Sequence, residues 1–139
     1  MGEALNAEAV VRAFCRAWED RNLDAVLGWL AEDLVYQNVP QPVMHGPRAA
    51  RRLFAPIMRE TTAIEFIVSN IAVSGDGAVV LTERVDRLHY RGGIVELPLM
   101  GIFVIRDGLI AEWRDYADGI ATAESFAAAG VNLELDPEG

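Results

Sequence analysis

At Thr62 the hydrophobic period of the chain shifts from helical to alternating, and it stays alternating through most of the remaining length. The alternating runs fall at Thr62–Ser74, Ala78–Tyr90, Val95–Ile105 and Leu109–Tyr116. Between them stand Gly75-Asp76-Gly77, Arg91-Gly92-Gly93 and Arg106-Asp107-Gly108, short glycine-bearing segments of the kind tight turns require. Strands joined so briefly must be antiparallel neighbours. The second half of the chain is thereby a meander, and the first half must supply whatever covers one face of it.

That first half reads as helices around one strand. Ala7 to Asp20 spaces Val10, Val11, Phe14, Cys15 and Trp18 on a single stripe, with Asn6 as its N-cap. Cys15 on that stripe is a core residue. Asn22 caps a second short helix over Leu23–Leu30, with Val26, Leu27 and Leu30 inward. Leu34 to Asn38 reads as a strand stopped by Pro40 and Pro42. Gly46-Pro47 opens a third helix whose apolar face carries Leu53, Phe54, Ile57 and Met58, and Pro56 is expected to kink or shorten it. A last helix is expected over Ala121–Ala129, ended by Gly130, and the acidic tail over 131–139 is expected to be loosely held. These elements make an α+β fold of one domain, 1–139, with helices on one face of a curved sheet and a pocket in its hollow.

Composition removes several kinds of chemistry. All 12 basic residues are arginine, so no lysine is present for a Schiff base or a phosphate-binding loop. His45 and His89 lack a metal-ligand spacing, and no Gly-x-Ser-x-Gly elbow occurs. A net charge of −9 makes nucleic acid a poor partner. The N-terminus has no basic stretch leading into an apolar one, and no apolar run is long enough to cross a bilayer; a cytoplasmic location is the expectation. Any reaction must run on carboxylates, arginine, tyrosine, amides and water.

Alternation sorts the polar residues by face. One face of Ala78–Tyr90 carries Val80, Thr82, Arg84, Asp86 and Leu88, while Ala111, Trp113 and Asp115 share a face of Leu109–Tyr116. Tyr36 and Asn38 share a face of the first strand. If these faces line the hollow, two carboxylates and a guanidinium meet in an apolar cavity, an arrangement that must be internally paired. Arg84-x-Asp86 alone is more often a structural ion pair; the combination of groups, in this order, carries the signal.

The chain resembles the limonene-1,2-epoxide hydrolases. The resemblance rests on Tyr36-Gln37-Asn38 with the Pro40/Pro42 pair, Thr82-Glu83-Arg84-Val85-Asp86, Gly101-Ile102-Phe103 and Trp113-Arg114-Asp115-Tyr116. It implies a curved α+β cone of the NTF2-like group with a mixed, antiparallel-rich sheet, a homodimer, and no cofactor. It also implies roles: Asp115 as the base that deprotonates water, Tyr36 and Asn38 as the groups holding that water, Asp86 as the acid, and Arg84 as the bridge between the carboxylates. Trp113 would donate to one carboxylate or pack against it.

Leu88, Leu97, Leu99 and Phe103 have the strand phase of a pocket wall, with Ile57 or Met58 closing it from a helix. Such a wall suits a small apolar epoxide: a terpene, cycloalkene or styrene oxide. Two other readings are a ketosteroid-isomerase-like or polyketide-cyclase-type enzyme, which needs a single carboxylate base, and a binding module of the same fold. An isomerase gains little from a bridged pair of carboxylates, and a binding module does not need Tyr36 and Asn38. His45 is expected at the surface or as a helix cap, and His89 has no assigned role.

Overall fold

The computed structural model describes residues 5–138, in the order α1 (Ala7–Glu19), α2 (Leu23–Gly28), β1 (Leu30–Val39), β2 (Met44–His45), α3 (Gly46–Glu60), β3 (Thr61–Val73), β4 (Val79–Tyr90), β5 (Gly93–Arg106), β6 (Leu109–Ala117) and α4 (Gly119–Ala128). Residues 1–4 and 139, which the expected domain and tail include, lie outside that range. The strands form one open sheet in the order β2-β1-β6-β5-β4-β3. The expected meander supplies β3 to β6, every neighbour antiparallel, and β1 adds to β6 in parallel. The result is the expected α+β architecture with a mixed sheet. Among the described residues no helix is long and apolar enough to cross a membrane.

The helices begin where the side chains allow. Asn6 accepts from the Ala9 N–H at 2.8 Å and Asn22 from the Ala25 N–H at 3.0 Å, each satisfying a donor of the first turn. The first strand begins at Leu30, four residues before the expected Leu34, and two helix boundaries also differ from expectation. The second helix stops at Gly28, because the Trp29 carbonyl accepts from the Ile110 N–H at 2.8 Å and draws the chain into the sheet. The last helix starts earlier, at Gly119: the Asp118 carboxylate caps the N–H groups of Ile120 and Ala121, both at 3.0 Å.

Pro56 does not end its helix, which runs through it to Glu60. A proline at that position removes the N–H that would bond the carbonyl four residues back. That carbonyl, of Arg52, instead accepts from the N–H of Asp136 at 2.8 Å. The tail, expected to be loosely held, meets α3 at Asp136, which is also bound by Arg52 and Arg59, and at Glu138, which accepts from Arg52. Two arginines of α3 therefore bind a segment that composition alone reads as a solvated end.

α1 and α3 pack on the inner face of the sheet through aromatic contacts. Phe14 meets Trp113 edge-on at 5.0 Å between ring centroids, and Phe54 meets Tyr36 at 5.4 Å. Trp113 in turn stacks on Tyr36 at 4.6 Å and on Phe103 at 5.5 Å. Such pairs add about 0.5–1.5 kcal/mol each beyond the area they bury. They also lock the rings that surround the polar groups described next. Cys15 is buried among them as expected, and burial pushes its thiol up to about 12, which leaves it protonated and unreactive.

Candidate active site

The inner face encloses a cavity of about 510 Å³ touched by residues of all six strands, and a sheet must bend for that to be possible. The neighbouring strands β4, β5 and β6 bring the charged groups together. Register sets Thr82 opposite Gly101 and Gly101 opposite Asp115, so Arg84 and Asp115 reach each other across a strand whose intervening residue has no side chain. A Cβ on Gly101 would lie 2.6 Å from Asp115 Oδ1 and closer still to Arg84 Nη1. Glycine is required there by proximity, and the alternating pattern gave no sign of that requirement.

Arg84 is 1% exposed and lies behind the cavity floor. Its Nε and Nη2 donate to the two carboxylate oxygens of Asp86, both at 3.0 Å, and Nη2 also donates to Asp115 Oδ2 at 2.9 Å. Nη1 donates to the Thr82 hydroxyl at 3.0 Å, which passes the chain of bonds to the Gly101 carbonyl at 3.3 Å. The guanidinium sits 5.2 Å from the Phe66 ring centroid and 5.7 Å from that of Phe103. A planar, weakly hydrated cation suits that position, where a lysine with three donors would leave an acceptor oxygen unmet.

Asp86 and Asp115 form the polar part of the floor. Trp113 Nε1 donates to Asp115 Oδ1 at 2.7 Å, so Asp115 accepts from both the indole and the guanidinium. Burial pushes the Asp86 carboxyl up to about 6, against the opposing pull of Arg84. Burial likewise raises Asp115, with Arg84 and Trp113 pulling down. Arg84 loses from burial, yet the two carboxylates hold it above its ordinary value and therefore charged. A cluster with one fixed positive charge and two elevated acids favours retention of one proton by the pair.

On the β1 side, Asn38 stands in register with Asp115 and Tyr36 with Trp113. Asn38 Nδ2 donates to the Tyr36 hydroxyl at 2.7 Å, and both residues line the cavity. Burial raises the Tyr36 phenol, so it stays neutral.

Of the residues expected in the wall, Leu88, Leu97, Leu99 and Ile57 line the cavity, as do Tyr36, Asn38, Asp86, Trp113 and Asp115. Phe103 and Met58 do not. Phe103 is fully buried beneath the floor, pressed between Trp113 and the Arg84 guanidinium, because Phe14 of α1 fills the space above that part of β5. Met58 faces the core on the flank of α3 where its carbonyl accepts from Arg21 at 2.9 Å. The sequence reading missed Phe66, Trp18 and Phe126, and it missed the tail residues Leu133 and Leu135, all of which line the cavity. Their apolar phase was legible; their convergence on one space was not. His45 is exposed at the start of α3 without a side-chain cap bond, in keeping with its surface expectation.

Comparison with known proteins bears on this site. Residues 5–126 match the family model described as the limonene-1,2-epoxide hydrolase catalytic domain. The chain is 37% identical over 108 residues, 78% of its own length and 70% of the other's, to epoxide hydrolase EphG of Mycobacterium tuberculosis. Among solved structures it resembles an M. tuberculosis LEH-like epoxide hydrolase, with a TM-score of 0.75 and 31% identity, covering 87% of this chain and 89% of that one. A Catenulispora acidiphila protein with a ketosteroid isomerase-like fold, at 20% identity and a TM-score of 0.72 over 96% of this chain and all of that one, shares the NTF2-like fold alone.

Proposed function

Because the chain belongs to the limonene-1,2-epoxide hydrolase family, we propose that it adds water to an apolar epoxide in a single general acid–base step, giving a vicinal diol. The observation that carries this reading is the Arg84 guanidinium bonded at once to Asp86 and Asp115 on the floor of an apolar cavity. Asp115 takes a proton from water held by Tyr36 and Asn38, and the water oxygen attacks one epoxide carbon. Asp86 gives its proton to the epoxide oxygen as the C–O bond breaks. The base then returns its proton to the acid through solvent, and no covalent enzyme intermediate forms.

Three features support the division of roles. Asn38 is beside Asp115 in register, which favours that carboxylate as the water's partner. Trp113 and Arg84 both donate to Asp115, stabilising its anion. Burial raises both carboxyls, Asp86 to about 6, so the pair holds on to a proton that Asp86 can deliver to the epoxide oxygen. In this reading kcat/KM falls as pH rises through about 6, because the acid loses its proton.

The substrate class follows from the wall: leucines, aromatics and few polar atoms suit a terpene, cycloalkene or styrene oxide, and the selectivity among them depends on shape. Diol formation from such a panel, repeated with Asp86→Asn and Asp115→Asn, tests the reading. Near-native rates in both variants would overturn it. ¹⁸O from water is expected in the diol within one turnover; transfer of oxygen from a prelabelled carboxylate would mean a covalent ester instead.

The same reading includes a homodimer. Supporting it, the outward face of the sheet exposes Ile67, Leu81, Met100 and Tyr116, each between 44% and 49%. Sedimentation velocity would give a dimer mass for the parent and a monomer for Met100→Glu if that face is the contact.

A further inference from the structure

We propose that residues 131–138 are a strap that forms the outer wall of the substrate cavity and sets how strongly the distal end of a long substrate is held. The inference rests on the hydrolase reading for what the substrate is, but its geometry stands apart from that reading. The match to the family model ends at residue 126, so the strap lies beyond the matched stretch.

The segment runs on from α4, where Ala129 packs so tightly on Gly92 that a Cβ there would collide with the Ala129 carbonyl. It then alternates. Leu133 and Leu135 line the cavity, while Glu134 between them bonds Asn132 at 3.2 Å. Leu133 is 38% and Leu135 48% exposed, whereas Asp86 and Asp115 are 5% and 6%. The leucines therefore belong to the rim and the carboxylates to the floor, and only a substrate long enough to reach the rim meets both.

The strap is fastened at Asp136 by every polar group that residue has. Its N–H occupies the Arg52 carbonyl that Pro56 leaves without a helical donor, at 2.8 Å. Its carbonyl accepts from Arg52 Nε at 2.7 Å. Its carboxylate accepts from Arg59 Nη2 at 2.9 Å and Nη1 at 3.1 Å, a two-pronged pair. A proline that would otherwise weaken α3 thus creates the socket into which the strap locks. Arg59 does not line the cavity, so it acts on substrate only by positioning Leu133 and Leu135.

Alkane-1,2-diols of increasing length are suitable probes, since binding them requires no turnover and Trp18 and Trp113 line the cavity as fluorescent reporters. In the parent, affinity should rise with each added methylene. Arg59→Ala and the double variant Leu133→Ala/Leu135→Ala should each weaken dodecane-1,2-diol by about fivefold or more, the scale of a few methylenes losing apolar contact. Hexane-1,2-diol binding and the kcat for cyclohexene oxide should stay within about twofold of the parent in Arg59→Ala, and Arg59→Lys should recover part of the long-chain affinity. A folded Arg59→Ala with the parent's dependence on chain length would overturn the strap, as would an equal loss at every length. A parent that binds the diols yet hydrolyses no epoxide would overturn the hydrolase reading, while the same binding series would still decide the strap.

Discussion

β4 carries two arginines, three residues apart, and each stands between two carboxylates on opposite faces of the strand. Arg84 faces inward and bonds Asp86 and Asp115, with side-chain exposures of 0%, 7% and 7%. Arg87 faces outward, 3.3 Å from Glu65 and 3.0 Å from Glu96, at exposures of 31%, 40% and 58%. The ionic composition is nearly the same; the dielectric surroundings are not. Water screens the outer trio, so its attractions are weak. Burial turns the inner trio into a proton-holding device, because two desolvated carboxylates share a single buried cation. One strand therefore shows that burial, with the geometry it enforces, separates an enclosed charge cluster from a surface ion pair.

Substitution of the acids breaks the comparison most sharply. Asp86→Asn and Asp115→Asn should each lower kcat/KM for epoxide hydrolysis by roughly 10²–10⁴, measured as diol formation, while Glu65→Gln and Glu96→Gln should leave it unchanged. Removing the cations comes next. Arg84→Met leaves two buried carboxylates without their counter-charge and should destabilise the fold by about 3–5 kcal/mol in urea unfolding. Arg87→Met should leave the unfolding midpoint where it was.

A third change sharpens the inner site alone. Gly101→Ala forces a methyl against Arg84 and Asp115, and should destabilise by about 1–3 kcal/mol with a parallel loss of turnover.

The smallest effect is on the pH dependence of stability, where the two trios have opposite signs. Asp86 titrates near 6 when folded against 3.8 in the unfolded chain, so the native state holds the extra proton between those values. Its contribution is fully present below 3.8 and is lost as pH rises through about 6. Glu65 is held below its ordinary value first by its bond to His89 and then by Arg87, so its contribution is lost as pH falls. Thermal midpoints in high salt should abolish the second trend and keep the first, since salt reaches only the exposed trio.

The legible part of this site was its membership by face. Period two alone put Arg84 with Asp86 and Trp113 with Asp115, and helical spacing alone put Phe14 and Trp18 inward. Phe103 shows the limit of that reasoning: it has the inward phase of a wall residue, yet Phe14 covers it and it serves as support for Arg84 instead. The tail shows the opposite limit, since its acidic composition resembles a solvated end until Arg52 and Arg59 are seen around Asp136.

What the sequence determined by itself is what local sterics and burial decide: the meander, its turns, the helix caps at Asn6 and Asn22, and the face each polar residue takes. Only the tertiary structure decided that β1 pairs with β6 in parallel, setting Asn38 beside Asp115, and that residues beyond α4 close the cavity. The reason is one of range. Side-chain alternation is fixed by the backbone of each strand, whereas the pairing of residues more than seventy positions apart depends on how all the elements share one interior.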